Sequence, residues 1–203
     1  MSGIEFRKRE VINKPYEAVL RMIVDLAMII CASYLFVLAY FDSIKITGYS
    51  MNDTLKDGDT VFIDKIIYDF RKPSRYDLVI FEPKVANVSQ YYVKRVVGLP
   101  GETVQIKDGA LYINGEKLED DVISGQIYNA GVAAEPVKLG DNQYFVLGDN
   151  RNNSDDSRFS TVGLISGESI IGRPWFVVYP FADMGIPKVR ELTQPAEETT
   201  SGS

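Results

Sequence analysis

The sequence has no histidine and one cysteine among its 203 residues. Without an imidazole, the chain cannot build a Ser-His-Asp or a Cys-His catalytic site. The single cysteine, Cys31, excludes an intramolecular disulfide bond, and zinc is disfavoured because its usual protein ligands are Cys and His. Any nucleophile in this chain therefore needs a base other than histidine.

An excess of positive charge is also absent, and the formal net charge is −6. Because phosphate binding requires clustered Lys and Arg, we expect no nucleic-acid partner. The sequence shows no internal repeat and no Gly-rich phosphate loop. A hydrophobic content of 45% is typical of a packed core, and the length fits one domain with appendages. Thr, Glu, Ser and Gly dominate residues 191–203, which predicts a disordered tail.

An apolar segment lies close to the N-terminus. Residues 26–41 carry no charge, and with Met22-Ile23-Val24 the segment reaches about 20 residues, the length that crosses a membrane as a helix. Asp25 interrupts it, which is tolerated near an end or against another helix. A buried helix of a soluble domain and a cleaved signal peptide are the alternatives. The segment lacks an amphipathic stripe and a small-x-small exit, which favours a retained membrane anchor.

We therefore predict a transmembrane helix over 22–41, preceded by a basic tail over 1–21. Basic residues gather before the apolar segment, and only Lys45 follows within the next ten residues. The positive-inside rule then places the N-terminus in the cytoplasm and the remainder of the chain on the extracytoplasmic face of the plasma membrane.

From residue 42 to 190 the sequence predicts β structure. Short apolar or alternating segments are separated by turn signals such as Asp57-Gly58 and Asn114-Gly115. Residues 66–71 are of uncertain type, and 119–139 lack periodicity. The many short strands predict a mainly β domain of barrel or sandwich type. The predicted strands cover 44–47, 60–64, 75–81, 91–97, 103–106, 110–113, 143–147, 170–173 and 175–179.

Two residues suggest a nucleophile and its base. Ser50 lies in the turn-forming stretch 48–55, and a lysine can replace histidine as a base where burial lowers its pKa from about 10.4. Lys94 fits, because its same-face neighbours in an alternating strand are Tyr92 and Val96. Arg95 then points to the opposite face, where it can remain solvated. The alternative is an ordinary charged pair on an exposed edge strand, and a serine in a turn is by itself a weak signal.

A third polar stretch, 148–158, follows an apolar strand. A Ca²⁺ loop of EF-hand type is disfavoured because Arg151 stands third from Asp149, where an oxygen ligand is required. A solvated surface loop is the simplest alternative. Closely spaced Arg and Asp residues better fit a loop that is braced by internal ion pairs and hydrogen bonds.

Taken together, these stretches resemble the bacterial type I signal peptidases, in the short form found in Gram-positive bacteria. The resemblance runs from the apolar segment to about Tyr179. It implies a signal-peptidase-like catalytic domain, a serine endopeptidase that removes signal peptides from exported preproteins after an Ala-x-Ala pattern, and no cofactor or metal. The motifs that carry it are Gly-Tyr-Ser-Met-Asn-Asp-Thr-Leu, Arg-Tyr-Asp-Leu-Val-Ile-Phe, Tyr-Val-Lys-Arg-Val-Val-Gly-Leu-Pro-Gly-Glu and Gly-Asp-Asn-Arg-Asn-Asn-Ser-Asp-Asp-Ser-Arg.

The resemblance also implies a role for individual residues. Ser50 becomes the nucleophile and the backbone donor to the oxyanion, Lys94 becomes the general base, and Ser154 orients its amine. Gly48 occupies the position at which some members carry an oxyanion-binding hydroxyl, so only backbone is available there. Structural support of the site is implied for Asp149 and Arg151 and for an ion pair between Asp156 and Arg158. The substrate groove is implied to contain Met51, Tyr92 and Val93.

The chain departs from the family pattern at two positions. Asp53 stands where proline is usual, and a carboxylate close to Lys94 would raise the pKa of the base. Tyr76 stands where glycine is usual between Arg75 and Asp77, which predicts altered local packing. Two other functions remain open: a non-catalytic relative that assembles surface structures such as pili, and a self-cleaving repressor with a Ser-Lys site, which the membrane segment disfavours.

Overall fold

The computed structural model describes residues 15–83, 91–119, 121–123 and 125–188. Within it the chain forms two compact units, which divide between Ala39 and Tyr40. The predicted disordered tail over 191–203 lies outside the described residues, as does most of the predicted basic tail. The first unit contains one long helix, and the second contains the β structure.

The first unit is formed by helix α1, Pro15–Tyr40. Its stretch Tyr16–Val37 has 22 residues and is long and apolar enough to cross a membrane, and the side chains of this stretch are all exposed. The helix starts seven residues before the predicted boundary at residue 22. Glu17, Ala18 and Leu20 are strong helix formers, so the helix extends upstream of the apolar segment.

A seven-stranded antiparallel sheet forms the larger part of the second unit. Its strand order is β1-β2-β11-β3-β4-β9-β10, and the end strands β1 and β10 do not pair with each other. The sheet is therefore open. Its strands are β1 (Phe41–Lys45), β2 (Thr60–Asp64), β3 (Leu78–Phe81), β4 (Tyr92–Gly98), β9 (Gln143–Leu147), β10 (Ile165–Ser166) and β11 (Ile170–Tyr179).

A smaller sheet has the strand order β7-β6-β5-β8 and is also antiparallel. Its strands are β5 (Thr103–Lys107), β6 (Ala110–Ile113), β7 (Glu116–Lys117) and β8 (Val137–Lys138). One short α-helix, α2 (Ile67–Phe70), occupies the segment whose type the sequence left uncertain. Single turns of 3-10 helix lie at Gly131–Ala134, Gly167–Ser169 and Phe181–Asp183.

Three apolar clusters hold the second unit together. One joins the two sheets, because Val97 and Phe145 of the large sheet pack with Val104 and Leu111 of the small sheet. A second lies beneath residues 46–55 and holds the stretch that contains Ser50. The third packs β3, β4 and β9 against the segment after the polar loop. The site is thus built on a buried framework.

The structure confirms the mainly β class with one N-terminal apolar helix. The bounds of β2, β6 and β9 are those predicted from the sequence. The strand predicted over 75–81 begins only at Leu78, because Tyr76 adopts a left-handed φ of 71°, which breaks extended structure. The two strands predicted at 170–173 and 175–179 form one strand, β11, whose register shifts between Pro174 and Phe176.

Candidate active site

The stretch that carries Ser50 leaves strand β1 through a tight turn. Gly48 has a φ of +91°, a conformation that an L side chain rarely adopts. Its N–H donates to Asp57 Oδ1 at 2.9 Å, and the Gly58 N–H donates back to the Ile46 carbonyl at 2.9 Å. The Gly48 N–H is therefore already used, so Gly48 supplies no backbone donor toward Ser50.

Residues after Ser50 form a compact turn anchored in the core. The Met51 carbonyl accepts from the N–H groups of Thr54 at 2.8 Å and Leu55 at 2.6 Å, and the Met51 and Leu55 side chains are buried. Within the described part of the chain, no hydrogen bond uses the Ser50 N–H or its hydroxyl. Both groups are therefore available to a molecule that binds there.

Lys94 lies in strand β4 and is only 3% exposed. Its Nζ is 5.6 Å from the centre of the Tyr92 ring, which agrees with the predicted neighbourhood on that face. Burial lowers the pKa of Lys94 from 10.5 to about 8, while the carboxylates of Asp156, Asp155 and Asp149 oppose this change. In the ranges that the structure describes, the amine makes no ion pair. A lysine of this kind is partly neutral near pH 8 and can accept a proton.

Arg95 corrects the sequence interpretation. It does face away from Lys94, but it is not solvated: it is 6% exposed. Its Nε donates to Asp149 Oδ1 at 2.7 Å and its second terminal nitrogen donates to Asp149 Oδ2 at 2.6 Å. The Thr54 hydroxyl also donates to Asp149, and Arg95 donates to the Tyr76 carbonyl at 2.8 Å. Both faces of β4 are buried, so the alternation of side chains along the strand does not expose either charged residue to solvent.

The polar loop 148–158 contacts the Ser50 segment directly. The Asn150 N–H donates to the Ser50 carbonyl at 3.0 Å, and its side-chain amide donates to the Tyr49 carbonyl at 3.1 Å. Gly148 permits this approach, because a Cβ at this position would lie 2.6 Å from the Ser50 carbonyl oxygen and would clash with Ser154 Oγ. The loop therefore fixes the backbone on both sides of the Ser50 peptide.

The predicted ion pair between Asp156 and Arg158 is present and fully buried. Arg158 Nε lies 2.8 Å from Asp156 Oδ1, and a terminal nitrogen lies 2.8 Å from Oδ2. Asp156 also accepts from the Gly148 N–H at 3.0 Å, and Arg158 donates to the Asn129 carbonyl at 2.9 Å. The pair ties the loop to the end of β9 and to the segment before the first 3-10 turn.

Arg151 braces the same loop from its other side. Its two terminal nitrogens donate to Asp121 at 2.5 and 2.8 Å, and the Arg151 side chain is buried. Asn152 adds an amide clamp, donating to the Gln126 carbonyl at 2.9 Å and accepting from the Tyr128 N–H at 2.9 Å. Asp149 and Arg151 thus act in separate pairs.

Ser154 does not hydrogen-bond Lys94 in this structure. Its hydroxyl oxygen is buried and has no hydrogen-bond partner within the described residues. A buried polar group without a partner is uncommon in a native protein and requires an explanation. The predicted base-orienting role of Ser154 therefore remains a hypothesis.

Ser50 and Lys94 line one open groove of about 430 Å³. Met51, Tyr92 and Val93, predicted as groove residues, line it as well. Sequence reasoning missed the groove residues Tyr91 and Asp155 and the segment 44–47, because only the tertiary fold brings these segments, which are distant in sequence, to one groove. The remaining lining residues are Gly48, Tyr49 and Asn153.

The departures from the family pattern have different outcomes. Asp53 is half-buried and does not line the groove, and burial, followed by the charge of Asp149, raises the pKa of its carboxyl group. The carboxylates that raise the pKa of Lys94 are those of the loop, and Asp53 is not one of them. The expected effect of Asp53 on the base is therefore not supported. Tyr76 occupies a position whose φ of 71° explains why glycine would fit there.

The partners of the loop arginines also escaped prediction. Asp121 lies 30 residues before Arg151 and Asp149 lies 54 residues after Arg95, so no local pattern links either pair. One signal did exist for Arg95. Val93, Val96 and Val97 put apolar residues on both faces of β4, which is typical of a strand that is buried on both sides.

Comparison with known proteins places these residues in a family context. A family model described as signal peptidase, peptidase S26, matches residues 19–179. Signal peptidase I T of Bacillus subtilis (strain 168) is 41% identical over 151 residues, which are 71% of this chain and 77% of that protein. A probable signal peptidase I-2 of Synechocystis sp. is 39% identical over 157 residues, covering 75% of this chain and 67% of that protein. The crystal structure of a signal peptidase I from Enterococcus faecalis V583 is 36% identical, covers 51% of this chain and 97% of its own, and gives a TM-score of 0.42.

Proposed function

The chain belongs to the signal peptidase family, peptidase S26, and we propose on this basis that it is a membrane-anchored serine endopeptidase with a Ser50/Lys94 dyad. It removes N-terminal signal peptides from exported preproteins after small residues of the Ala-x-Ala type. One observation carries the proposal: Ser50 and Lys94 line the same groove, and burial lowers the pKa of Lys94 to about 8.

The reaction follows from these two side chains. Neutral Lys94 accepts the proton of the Ser50 hydroxyl as Oγ attacks the scissile carbonyl carbon. The Ser50 N–H, unused by other groups in the described residues, donates to the oxyanion that forms. Collapse of the intermediate passes the proton from Lys94 to the leaving amine and leaves an acyl-enzyme. Lys94 then takes a proton from a water molecule as the water oxygen attacks the ester carbon, and it returns this proton to Ser50 Oγ as the C–O bond breaks and the signal peptide is released.

The polar loop positions these groups. Asn150 holds the Ser50 carbonyl, and the Asp156–Arg158 pair fixes the loop that carries Ser154. In the reacting complex, Ser154 Oγ accepts a hydrogen bond from the Lys94 amine. This bond orients the amine so that the lone pair of Lys94 Nζ faces the Ser50 hydroxyl. The buried hydroxyl without a partner among the described residues supports this assignment.

The substrate is an extended segment of preprotein that lies across the groove. The groove is lined in part by aromatic and aliphatic side chains, which include Tyr92, Val93, Ile44 and Ile46. Helix α1 supports a location at the plasma membrane, because Tyr16–Val37 is long and apolar enough to span the bilayer. The basic residues before it in the sequence favour an N-terminus in the cytoplasm and a catalytic unit on the extracytoplasmic face, by the positive-inside rule.

Cleavage by the detergent-solubilised chain tests the proposal. A preprotein with an Ala-x-Ala site is incubated with wild type, Ser50→Ala, Lys94→Ala and Lys107→Ala between pH 6 and 10. Lys107 is an exposed lysine of β5 that does not line the groove, so its variant is a matched control. We expect cleavage by wild type and Lys107→Ala, rising with pH through about 8, and none by the other two. Folded wild type that cleaves no such preprotein would contradict the proposal and favour a non-catalytic assembly role.

A further inference from the structure

The acidic residues around Lys94 are compensated unequally. Three loop carboxylates act on its amine: Asp156, Asp155 and Asp149. Asp149 is buried and neutralised by Arg95, and Asp156 is buried and neutralised by Arg158. Each of these carboxylates therefore has its own bidentate cation, and neither presents an unbalanced charge to the groove.

Asp155 differs from both. It is exposed, and within the described residues it makes no ion pair and no hydrogen bond. It lines the same groove as Ser50 and Lys94. At a pH above the pKa of Lys94 its amine is neutral, so Asp155 is then an uncompensated negative charge at this groove among the described residues. A substrate segment that fills the groove therefore meets the Asp155 carboxylate.

We propose that Asp155 is a specificity-determining residue, which favours a lysine or arginine side chain and disfavours an acidic one in the substrate segment that lies beside it. This inference rests on the proposed peptidase function and deepens it. The carboxylate attracts a cation on the bound peptide, and it repels an anion. The serine and lysine chemistry at the scissile bond does not require the charge, so Asp155 selects among substrates.

The preference is confined to one part of the substrate. Lys45 is exposed and lines the same groove, and among the residues that the structure describes it makes no ion pair with Asp155 or with any other carboxylate. A peptide side chain beside Lys45 meets the opposite charge. We therefore expect a basic preference at one or two adjacent substrate positions rather than a general preference for basic peptides. Exposed ion pairs are worth up to about 1 kcal/mol, so the expected discrimination is about two- to fivefold.

Competition between peptides measures the effect. Peptides with one Ala-x-Ala site carry Lys, Gln or Glu at a single position, scanned across the residues on both sides of the cut. They compete in one reaction at pH 9, where Lys94 is mostly neutral, and mass spectrometry gives relative kcat/KM values. The enzymes are the detergent-solubilised wild type, Asp155→Asn and Asp141→Asn. Asp141 is exposed and does not line the groove, so its variant removes the same charge elsewhere.

For wild type and Asp141→Asn we expect the Lys peptide to exceed the Glu peptide about two- to fivefold at one or two positions. In Asp155→Asn that ratio falls to about one, and in wild type it shrinks as salt is added. An equal Lys-to-Glu ratio in wild type and Asp155→Asn at every position overturns the inference while leaving the peptidase function intact. If wild type cleaves no peptide at all, the proposed function fails and the inference fails with it.

Discussion

The two faces of strand β4 bury a positive charge in opposite ways. Lys94 and Arg95 are neighbours in sequence and are 3% and 6% exposed. Arg95 makes a bidentate ion pair with Asp149, whereas Lys94 makes no ion pair among the described residues and its pKa falls to about 8. A guanidinium cannot lose its proton at physiological pH, so it must be paired when buried, while an amine can lose its charge instead.

This contrast explains how a chain without histidine obtains a base. Desolvation, with the charge of Arg158 as a smaller cause, lowers the pKa of Lys94 to about 8, so the lysine can act as a base, and it destabilises the folded chain at lower pH. Arg95 performs the complementary task, since it fixes Asp149 and thereby the start of the polar loop. If the two environments were exchanged, the lysine would stay charged beside Asp149 and accept no proton, and the arginine guanidinium would be buried without a partner.

The largest stability effect is expected on the paired face. Arg95→Met leaves Asp149 buried without its cation, and breaking a buried ion pair in this way costs about 3–5 kcal/mol. Chemical unfolding of the chain in detergent, followed by circular dichroism, measures the free energy of unfolding. Lys65→Met is the control, because its ion pair with Asp42 is exposed and worth at most about 1 kcal/mol. Equal losses in the two variants would mean that burial does not distinguish these pairs.

Replacement of the unpaired charge, Lys94, should increase the free energy of unfolding, whereas replacement of Arg95 should decrease it. The pKa of Lys94 is about 8 in the folded chain, and the ordinary pKa of a lysine is 10.5. The unfolded chain therefore binds more protons between these pH values, and stability rises as pH increases through this window. At pH 7 the charge costs about 3 kcal/mol, so Lys94→Met is expected to be more stable than wild type by up to that amount.

The same variant also gives a pH signature. The stability advantage of Lys94→Met should decline from pH 8 and disappear above about pH 10.5, where wild-type Lys94 is neutral in both the folded and the unfolded state. Unfolding experiments at several pH values measure this decline. A Lys94→Met advantage that is constant with pH would show that packing, and not desolvation of the charge, separates the two faces.

The smallest effect concerns the turn that supports Arg95. The Tyr76 carbonyl accepts from Arg95, and Tyr76 adopts a φ of 71°. Ala in this conformation costs about 1 kcal/mol more than Gly, so Tyr76→Gly is expected to be more stable than Tyr76→Ala by that amount. Thermal unfolding of both variants checks the difference. Both variants lose the tyrosine ring, so this loss cancels in the difference between them. An Ala variant that is more stable than the Gly variant would contradict backbone strain at this position.

Local patterns predicted much of the fold, and they did so where each strand is bounded by its own turns. β6 lies between Asp108-Gly109 and Asn114-Gly115, and its bounds Ala110–Ile113 were predicted as observed. The prediction for β3 failed at its first residues because Tyr76 turns the chain left-handed, and a tyrosine gives no signal for that conformation. The close spacing of Arg and Asp in the polar loop predicted internal ion pairs in general, and the family resemblance implied the particular pair Asp156–Arg158, which is present.

By itself, the sequence determined that any catalysis here proceeds without imidazole, that one apolar helix long enough to span a membrane precedes a β domain, and that Ser50, Lys94 and a polar loop are the chemical candidates. The tertiary structure decided which charges are compensated. Antiparallel pairing of β4 with β9 sets Arg95 opposite Leu147, two residues before Asp149, while Asp155 is left exposed at the groove. The pKa of a lysine depends on what surrounds it in space, and those surroundings come from strands distant in sequence.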